Sequence, residues 1–151
     1  MKYITEIIVD LPLSQFVKKL DNPDNMKHWQ KDLISYKQLV GNPGEEGAQM
    51  ELIYKMGKRE LIMIETILKR NMPHELHATY DAKGVHNIQR NYFKALNEHT
   101  TKWISESQFQ FNGTFMKLMA FFMPGMFKKQ SLKYLKDFKA FAEEGTSLAK
   151  S

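Results

Sequence analysis

Apolar and polar residues alternate along most of the chain, and this alternation predicts a protein built mainly of β-strands. A first strand is predicted over residues 3–10. Helical spacing follows over residues 12–20, and Asn22-Pro23, a capping residue followed by proline, predicts a second short helix to about Trp29. Six more strands are predicted at residues 33–41, 48–56, 59–69, 74–82, 85–96 and 101–111.

The connections between these strands are short, which predicts an antiparallel meander. From Thr114 to about Glu144 the period of the apolar positions becomes helical. A sheet needs cover on one face, and this terminal helix is long enough to supply it. With 151 residues, the chain is expected to form one α+β domain, residues 1–151.

This order of elements resembles the helix-grip fold of the START-related, birch-pollen-allergen-like superfamily, which includes small bacterial polyketide cyclase/dehydratase-like proteins. The resemblance covers nearly the whole chain. The stretches that carry it are LDNPDNMKHWQ at 20–30, LVGNPGEEGAQMELIY at 39–54, RELIMIETIL at 59–68 and KDFKAF at 136–141. It implies a curved antiparallel sheet of about seven strands wrapped around a long C-terminal helix, with two short helices after the first strand. It also implies that an apolar or amphipathic molecule binds between sheet and helix, while a minority of the family are cyclases, dehydratases or hydrolases.

Turn lengths predict which strand residues lie opposite one another and therefore share a face. The predicted turns are a four-residue turn at 97–100, a three-residue loop at 82–84 and a two-residue turn at 57–58. They pair Leu96 with Thr101, Tyr92 with Ser105, Arg90 with Ser107, Ile88 with Phe109, Tyr80 with His86, Ala78 with Ile88, Leu76 with Arg90 and Lys55 with Glu60. An error of one residue in a turn moves a whole strand to the opposite face.

The inner face predicted in this way is too polar for an ordinary core, because buried polar groups need partners. Apolar walls with a few placed polar groups are typical of small-molecule sites. In the alternative interpretation, Glu65 and Arg90 simply pair and the tyrosine hydroxyls lie at the rim. The predicted lining from the sheet is Leu52, Tyr54, Leu61, Met63, Glu65, Leu76, Tyr80, His86, Ile88, Arg90, Tyr92, Trp103, Ser105, Ser107 and Phe109. The terminal helix is expected to pack on this face, or to cover it as a lid, through Phe115, Met119, Phe122 and Met123.

Candidate chemistry is sparse. His74 and His77 are three apart on a strand and point to opposite faces, so no metal site is predicted. No phosphate-binding loop is present, and no cofactor is expected. An acid/base enzyme acting on a polyketide-like carbonyl compound is the alternative to simple binding. Its candidate groups are His86, Tyr80, Arg90 and Glu65.

Composition and charge narrow the class of partner. The chain has no cysteine and a net charge of +5, and its start, MKYITEIIVD, lacks the apolar core of a signal peptide. We therefore expect a cytoplasmic protein. The apolar stretch 115–127 is too short to span a bilayer, and Pro124 is expected to kink or break its helix. The outward strand faces mix both signs of charge, which disfavours nucleic acid.

Two surfaces leave further interpretations open. Lysines 128, 129, 133, 136 and 139 flank an apolar stripe on the terminal helix, a pattern typical of peripheral membrane docking but also of an ordinary solvated face. Ile53, Ile62 and Ile64 are predicted on the outer face of the sheet. They indicate either a homodimer surface or a wrong register in the 57–58 hairpin.

Overall fold

Residues 1–114 and 124–149 are described by a computed structural model of the chain. Seven strands form one antiparallel sheet in the order β1-β7-β6-β5-β4-β3-β2. The strands are β1 (Lys2–Val9), β2 (Leu33–Val40), β3 (Gln49–Met56), β4 (Arg59–Asn71), β5 (Glu75–Ala82), β6 (Val85–Ala95) and β7 (Thr101–Phe111). The helices are α1 (Leu13–Leu20), α2 (Met26–Trp29) and α3 (Pro124–Glu144), and a 3₁₀ turn, Pro23–Asn25, precedes α2.

The predicted α+β architecture is confirmed, with two short helices after the first strand and a long helix after the last. Strands β2 to β7 form the predicted meander, and the last strand, β7, pairs with the first strand, β1. Helix α3 ends at Glu144, as predicted. The part of the predicted helix before Pro124 lies outside the described residues, and the kink expected at Pro124-Gly125 falls at that border.

Five aromatic rings hold the helices against the sheet. The Phe138 ring of α3 is fully buried, and its centroid lies 5.1 Å from Phe16 in α1, 5.4 Å from Trp29 in α2 and 5.5 Å from Trp103 in β7. Phe93 in β6 completes the cluster, 5.4 Å from Phe16. The rings meet edge-to-face or tilted, the arrangement that their quadrupoles favour. This aromatic cluster therefore fixes all three helices relative to β6 and β7.

The predicted register of the β3–β4 hairpin is confirmed. Lys55 pairs with Glu60 around the two-residue turn at 57–58, where Gly57 has a φ of +62°. Glu65 and Tyr54 consequently lie on the inner face. The isoleucines at 53, 62 and 64 lie on the outer face, and Ile62 is 53% exposed.

The predicted register of β6 is wrong against both of its neighbours. The loop between β6 and β7 has five residues instead of four, because Ala95 pairs with Thr101. The turn between β5 and β6 has two residues instead of three, because Ala82 pairs with Val85. Each difference shifts β6 by one residue, so β5 and β7 keep their predicted facing while β6 is inverted.

The inversion exchanges the two sets of side chains on β6. Asn87, Asn91 and Phe93 are buried on the inner face, at 2%, 8% and 1% exposure, and Gln89 lies between them. The four residues predicted to face inward from this strand lie on the outer face, and they are His86, Ile88, Arg90 and Tyr92. The physical reason is that burying an amide costs less free energy than burying a charged group, so the arginine and the histidine of the strand lie on the outer face.

Helix α3 uses its apolar stripe inside the protein. Leu135, Phe138 and Ala142 are buried against the rest of the core. Lys133 forms an ion pair with Asp137 one turn further on, with 2.5 Å between Nζ and Oδ2. Between Leu135 and Ala142, the apolar face of this amphipathic helix is therefore already covered.

Single cysteines should report the facing of β6, since the natural chain has none. We expect Arg90→Cys to react freely with a thiol reagent, because the side chain lies on the outer face. The reaction of Asn91→Cys should be slower by roughly tenfold or more, because labelling of the inner face requires local opening of the sheet. Rates measured with Ellman's reagent under native conditions test this. The opposite ranking, with position 90 protected, would restore the register predicted from the sequence.

Candidate functional site

A cavity of about 130 Å³ lies between the inner face of the sheet, the loop that follows β2, and the segment that joins α1 to α2. Five of the sheet's strands contribute to its lining. The lining residues are Leu20, Asp21, Pro23, Met26, Trp29, Gln30, Pro43, Gly44, Met50, Glu65, Ile67, Leu76, Tyr80, Gln89, Asn91, Phe93 and Trp103.

The apolar wall of the cavity continues the aromatic cluster. Trp29, Phe93 and Trp103 belong to both, so the cluster that holds the helices also shapes the cavity. Met50 and Ile67 extend the wall across β3 and β4, and both are buried. A ligand entering here would meet side chains whose positions are already set by packing.

Glu65 and Tyr80 form a hydrogen-bonded pair in the lining of the cavity. They are directly opposite each other on β4 and β5, and the Tyr80 hydroxyl donates to Glu65 Oε2 at 2.8 Å. On the neighbouring strand, the Tyr54 hydroxyl donates to Gln30 Oε1 at 2.6 Å. These bonds orient the polar groups and leave the second Glu65 oxygen without a hydrogen bond from any residue in 1–114 or 124–149.

Removal from solvent changes the acidity of these groups. Burial raises the pKa of the Glu65 carboxyl above its ordinary value, and the hydrogen bond from Tyr80 acts in the opposite direction without cancelling the shift. Burial also raises the pKa of the Tyr54 and Tyr80 hydroxyls, and the nearby Glu65 charge adds to both shifts. Both tyrosines therefore stay protonated donors at neutral pH, and Glu65 holds its proton more tightly than an exposed glutamate does.

An arginine clasp closes one side of the cavity. Arg70 of β4 binds Asp21 with both terminal nitrogens, at 2.9 Å for Nη1 and 2.5 Å for Nη2. The same Nη1 donates to the Gly44 carbonyl at 3.2 Å. A bidentate pair of this kind fixes geometry as well as charge. The clasp therefore holds the end of α1 and the loop after β2 against β4.

A row of amides and hydroxyls crosses the inner face beside the cavity. The Trp103 indole donates to Asn91 Oδ1 at 2.9 Å, and the Gln89 amide donates to Asn87 Oδ1 at 3.0 Å. The buried indole N–H of Trp29 has no acceptor within the described part of the chain. The two bonds satisfy the amide oxygens of Asn91 and Asn87 inside the protein.

The structure brings only some of the predicted site residues together. Glu65, Leu76, Tyr80 and Trp103 line the cavity. Others share the inner face without lining it, and they are Leu52, Tyr54, Leu61, Met63, Ser105, Ser107 and Phe109. Four more lie on the outer face after the correction of β6, namely His86, Ile88, Arg90 and Tyr92. The helix residues Phe115, Met119, Phe122 and Met123 lie outside the described residues.

The proposed meeting of His86, Arg90, Tyr80 and Glu65 does not occur. His86 hydrogen-bonds Asp81 on the outer face, and Arg90 stands opposite Glu106 there. The sheet separates both from Glu65, so the interpretation in which Arg90 neutralises that carboxylate is also wrong.

Sequence reasoning missed three amide residues of the site, Gln30, Gln89 and Asn91. The signal was present in β6, where Asn87, Gln89 and Asn91 alternate with residues that include an arginine and a histidine. Weighing the cost of burying charge above the count of apolar residues selects the amide face. Gln30 follows α2 and had no periodic signal.

Known structures match along nearly the whole chain, whereas neither a protein-family model nor a curated protein sequence does. The Zhui aromatase/cyclase of a Streptomyces species has a TM-score of 0.78 at 10% identity, over 94% of this chain and 93% of its own. Ara h 8.0201 has a TM-score of 0.68 at 12% identity, over 94% and 97%. Norcoclaurine synthase of Thalictrum flavum, solved as a point mutant with a transition-state analogue, has a TM-score of 0.70 at 10% identity, over 94% and 93%.

The chain has the helix-grip fold. It shares this fold with the three structures over nearly its whole length, so the fold implied by the sequence resemblance is confirmed. Identities near 10% show the shared fold and carry no activity with them.

Among residues 1–114 and 124–149, no helix is both long and apolar enough to cross a membrane. Within the same ranges, no three histidine, aspartate or glutamate side chains are grouped as metal ligands would be.

Two glycines test the arginine clasp. Gly44 and Gly47 have nearly equal φ, +82° and +81°, but a Cβ at Gly44 would lie 2.6 Å from Arg70 Nη1, whereas one at Gly47 meets nothing within 4 Å. Both alanine variants therefore bear the left-handed backbone cost of roughly 1–2 kcal/mol. Gly44→Ala should lower the free energy of unfolding by up to about 1 kcal/mol more, because Arg70 must leave Asp21.

Urea denaturation measures the difference between the two glycine variants. In an Arg70→Ala background, which removes the clasp, the two alanine variants should become nearly equal, because only the 3.3 Å approach of the Gly44 Cβ to Asp21 Oδ1 then distinguishes them. A difference that persists in that background would mean that the contact with Arg70 is not its cause.

Glu65→Gln should stabilise the fold at neutral pH and have little effect in acid. The folded state holds the Glu65 proton more tightly than the unfolded state, so wild-type stability falls as pH rises above the ordinary carboxyl range. Glutamine keeps an acceptor for Tyr80 and does not titrate. The gain in unfolding free energy should therefore grow as the pH rises above the ordinary carboxyl range. Glu60→Gln, at an exposed position, controls for net charge, and parallel wild-type and Glu65→Gln curves would contradict the assignment.

Proposed function

We propose that this helix-grip protein binds a small amphipathic molecule in the cavity between the sheet and the α1–α2 segment. The observation that carries the proposal is the combination of aromatic walls with polar groups in one cavity. Trp29, Phe93 and Trp103 supply the walls, while Glu65 and Gln89 supply polar groups. Sites for small molecules have this composition, and closed cores do not.

The volume of the cavity limits the part of the ligand that it holds. About 130 Å³ is close to the roughly 150 Å³ of an engineered cavity that takes up benzene. The bound portion is therefore about one six-membered ring, or a short branched chain of similar size. A lipid or a polyketide-like molecule would bind by inserting one such portion.

The polar groups favour a ligand that carries oxygen or nitrogen over a pure hydrocarbon. Glu65 has an oxygen that Tyr80 does not use, and Gln89 has a carbonyl oxygen that its bond to Asn87 does not use. A hydroxyl or amino group on the ligand would donate to one or both. A hydrocarbon would leave them unpaired, which costs binding energy.

Acid/base catalysis is the second candidate function, and the Glu65–Tyr80 hydrogen bond favours it. A carboxyl with a raised pKa inside a cavity is suited to proton transfer. Two of the fold relatives, an aromatase/cyclase and norcoclaurine synthase, are named as enzymes. The acid/base groups of this candidate function are Glu65 and Tyr80, because His86 and Arg90 lie on the outer face. Catalysis predicts that Glu65→Gln abolishes turnover of a bound compound while its binding persists. Simple binding predicts no turnover in either protein.

Two surface partnerships remain predictions with less support. Membrane docking through α3 requires a free apolar face, and Leu135, Phe138 and Ala142 already bury theirs. A homodimer through the outer face would cover the isoleucines at 53, 62 and 64. Ile62 offers the most surface for such a contact, because it is the most exposed of the three.

The chain's two tryptophans provide a direct binding assay. Trp29 and Trp103 both line the cavity, so a ligand that enters it should change their fluorescence. We expect benzyl alcohol, one ring with one hydroxyl, to produce a saturable change. Leu76→Phe should weaken this binding by roughly tenfold or more, because the added atoms occupy the cavity.

The control variant is Leu39→Phe, the same substitution at an exposed position of β2. It should bind benzyl alcohol as the wild type does. A wild-type protein that shows no saturable response to benzyl alcohol would count against the proposed function.

A further inference from the structure

We infer that the cavity selects a ligand with a positively charged amine, and that Glu65 is the counter-ion of that amine. The inference rests on the proposed function, since it specifies the charge of the molecule bound at the same site. It assigns the ligand to the class of small organic ammonium ions with an apolar ring or chain.

The charged groups around the cavity are acidic, although the chain as a whole carries a net charge of +5. Asp21 and Glu65 are the two carboxylates of the lining, and no lysine, arginine or histidine of the described ranges belongs to it. The lysines and arginines that give the chain its positive net charge therefore lie outside the described lining of the cavity. A carboxylate ligand, such as a fatty acid, would meet like charge here and find no cation.

The two lining carboxylates differ in their partners. Asp21 is neutralised by the bidentate contact with Arg70. Glu65 receives one hydrogen bond, from the neutral Tyr80 hydroxyl, and forms no ion pair with the described residues. Glu65 is half-buried, and a carboxylate that has lost part of its hydration without gaining a cation is unfavourable. A ligand ammonium group offsets that loss by pairing with it.

The remaining lining also suits an ammonium group. Trp29 and Trp103 present aromatic rings, and a cation near a ring face gains a further attraction that is strongest for tryptophan. Gln89 uses its amide N–H₂ on Asn87, which leaves its carbonyl oxygen to accept a hydrogen bond. The cavity thus offers an anion, acceptors and aromatic rings together.

Three probes of the same size and different charge test the inference. Benzylamine is a cation at neutral pH, benzyl alcohol is neutral and benzoate is an anion. We expect benzylamine to bind roughly tenfold or more tightly than benzyl alcohol, because its ammonium group adds an ion pair with the Glu65 carboxylate to the hydrogen bond that either probe can donate. Benzoate should show no saturable binding. Titration calorimetry or tryptophan fluorescence at neutral pH measures all three.

Glu65→Gln should remove the preference for the cation. Its affinity for benzylamine should fall to that of benzyl alcohol, because a neutral amide no longer pairs with the ammonium group. A cooperative urea unfolding transition shows independently that the variant is folded. Glu60→Gln makes the same change of net charge at an exposed position and should leave the ranking intact.

The outcomes separate this inference from the proposed function. Benzyl alcohol that binds as tightly as benzylamine, or a benzylamine preference that survives in Glu65→Gln, overturns the inference and leaves small-molecule binding in place. Binding of benzoate above the other two overturns it as well. A protein that binds none of the three probes contradicts the proposed function, and the inference fails with it.

Discussion

The contact of Phe138 with Phe16, Trp29 and Trp103 is the constraint on which the rest of the structure depends. These rings come from all three helices and from the sheet. The centroids of the other three lie 5.1 to 5.5 Å from the centroid of Phe138. Without this contact the short helices would have little to hold them, since α1 has eight residues and α2 has four. The cavity exists because the same tryptophans stop short of filling the space beside them.

The inner face of this sheet differs from a purely apolar core, because it carries a row of hydrogen-bonded amide and hydroxyl groups. Asn91 accepts the Trp103 N–H, and Asn87 accepts the Gln89 amide, so the row is largely satisfied internally. Satisfied polar networks fix one arrangement, because any slip of a strand breaks several bonds at once. The register of β6 is thus specified by polar contacts more than by apolar burial.

Sequence patterns predicted the elements well because alternation and turn residues are local properties. The β3–β4 register followed from the two-residue turn at Gly57, where a positive φ makes glycine the natural choice. Nothing as specific marks the loop before Thr101, which has five residues and no glycine. The two wrong turn lengths around β6 both moved this strand by one residue and assigned the same side chains to the inner face. The predicted pairings with β5 and with β7 were therefore consistent, and comparing them could not reveal the error.

The candidate site was predicted in part for the same reason. Residues on strands of correct register, such as Glu65 and Tyr80, were assigned to the inner face. Gln30 and Asp21 come from segments without strand or helix periodicity at those positions, and their place in the cavity depends on how distant elements meet. Tertiary packing of that kind leaves no signature in a local pattern.

Glu65 is the residue that stability alone does not explain. Its neighbours across the sheet are Met50 and Tyr80, and an apolar side chain of similar size would pack there without losing solvation. Asp21 is different, because Arg70 compensates its charge and the pair ties two segments together. Sequences generally keep each local choice consistent with the fold, and they depart from that rule mainly at functional sites. A carboxyl held in a cavity with a tyrosine as its described partner is such a departure, which is why the chemistry of this protein is to be sought at Glu65.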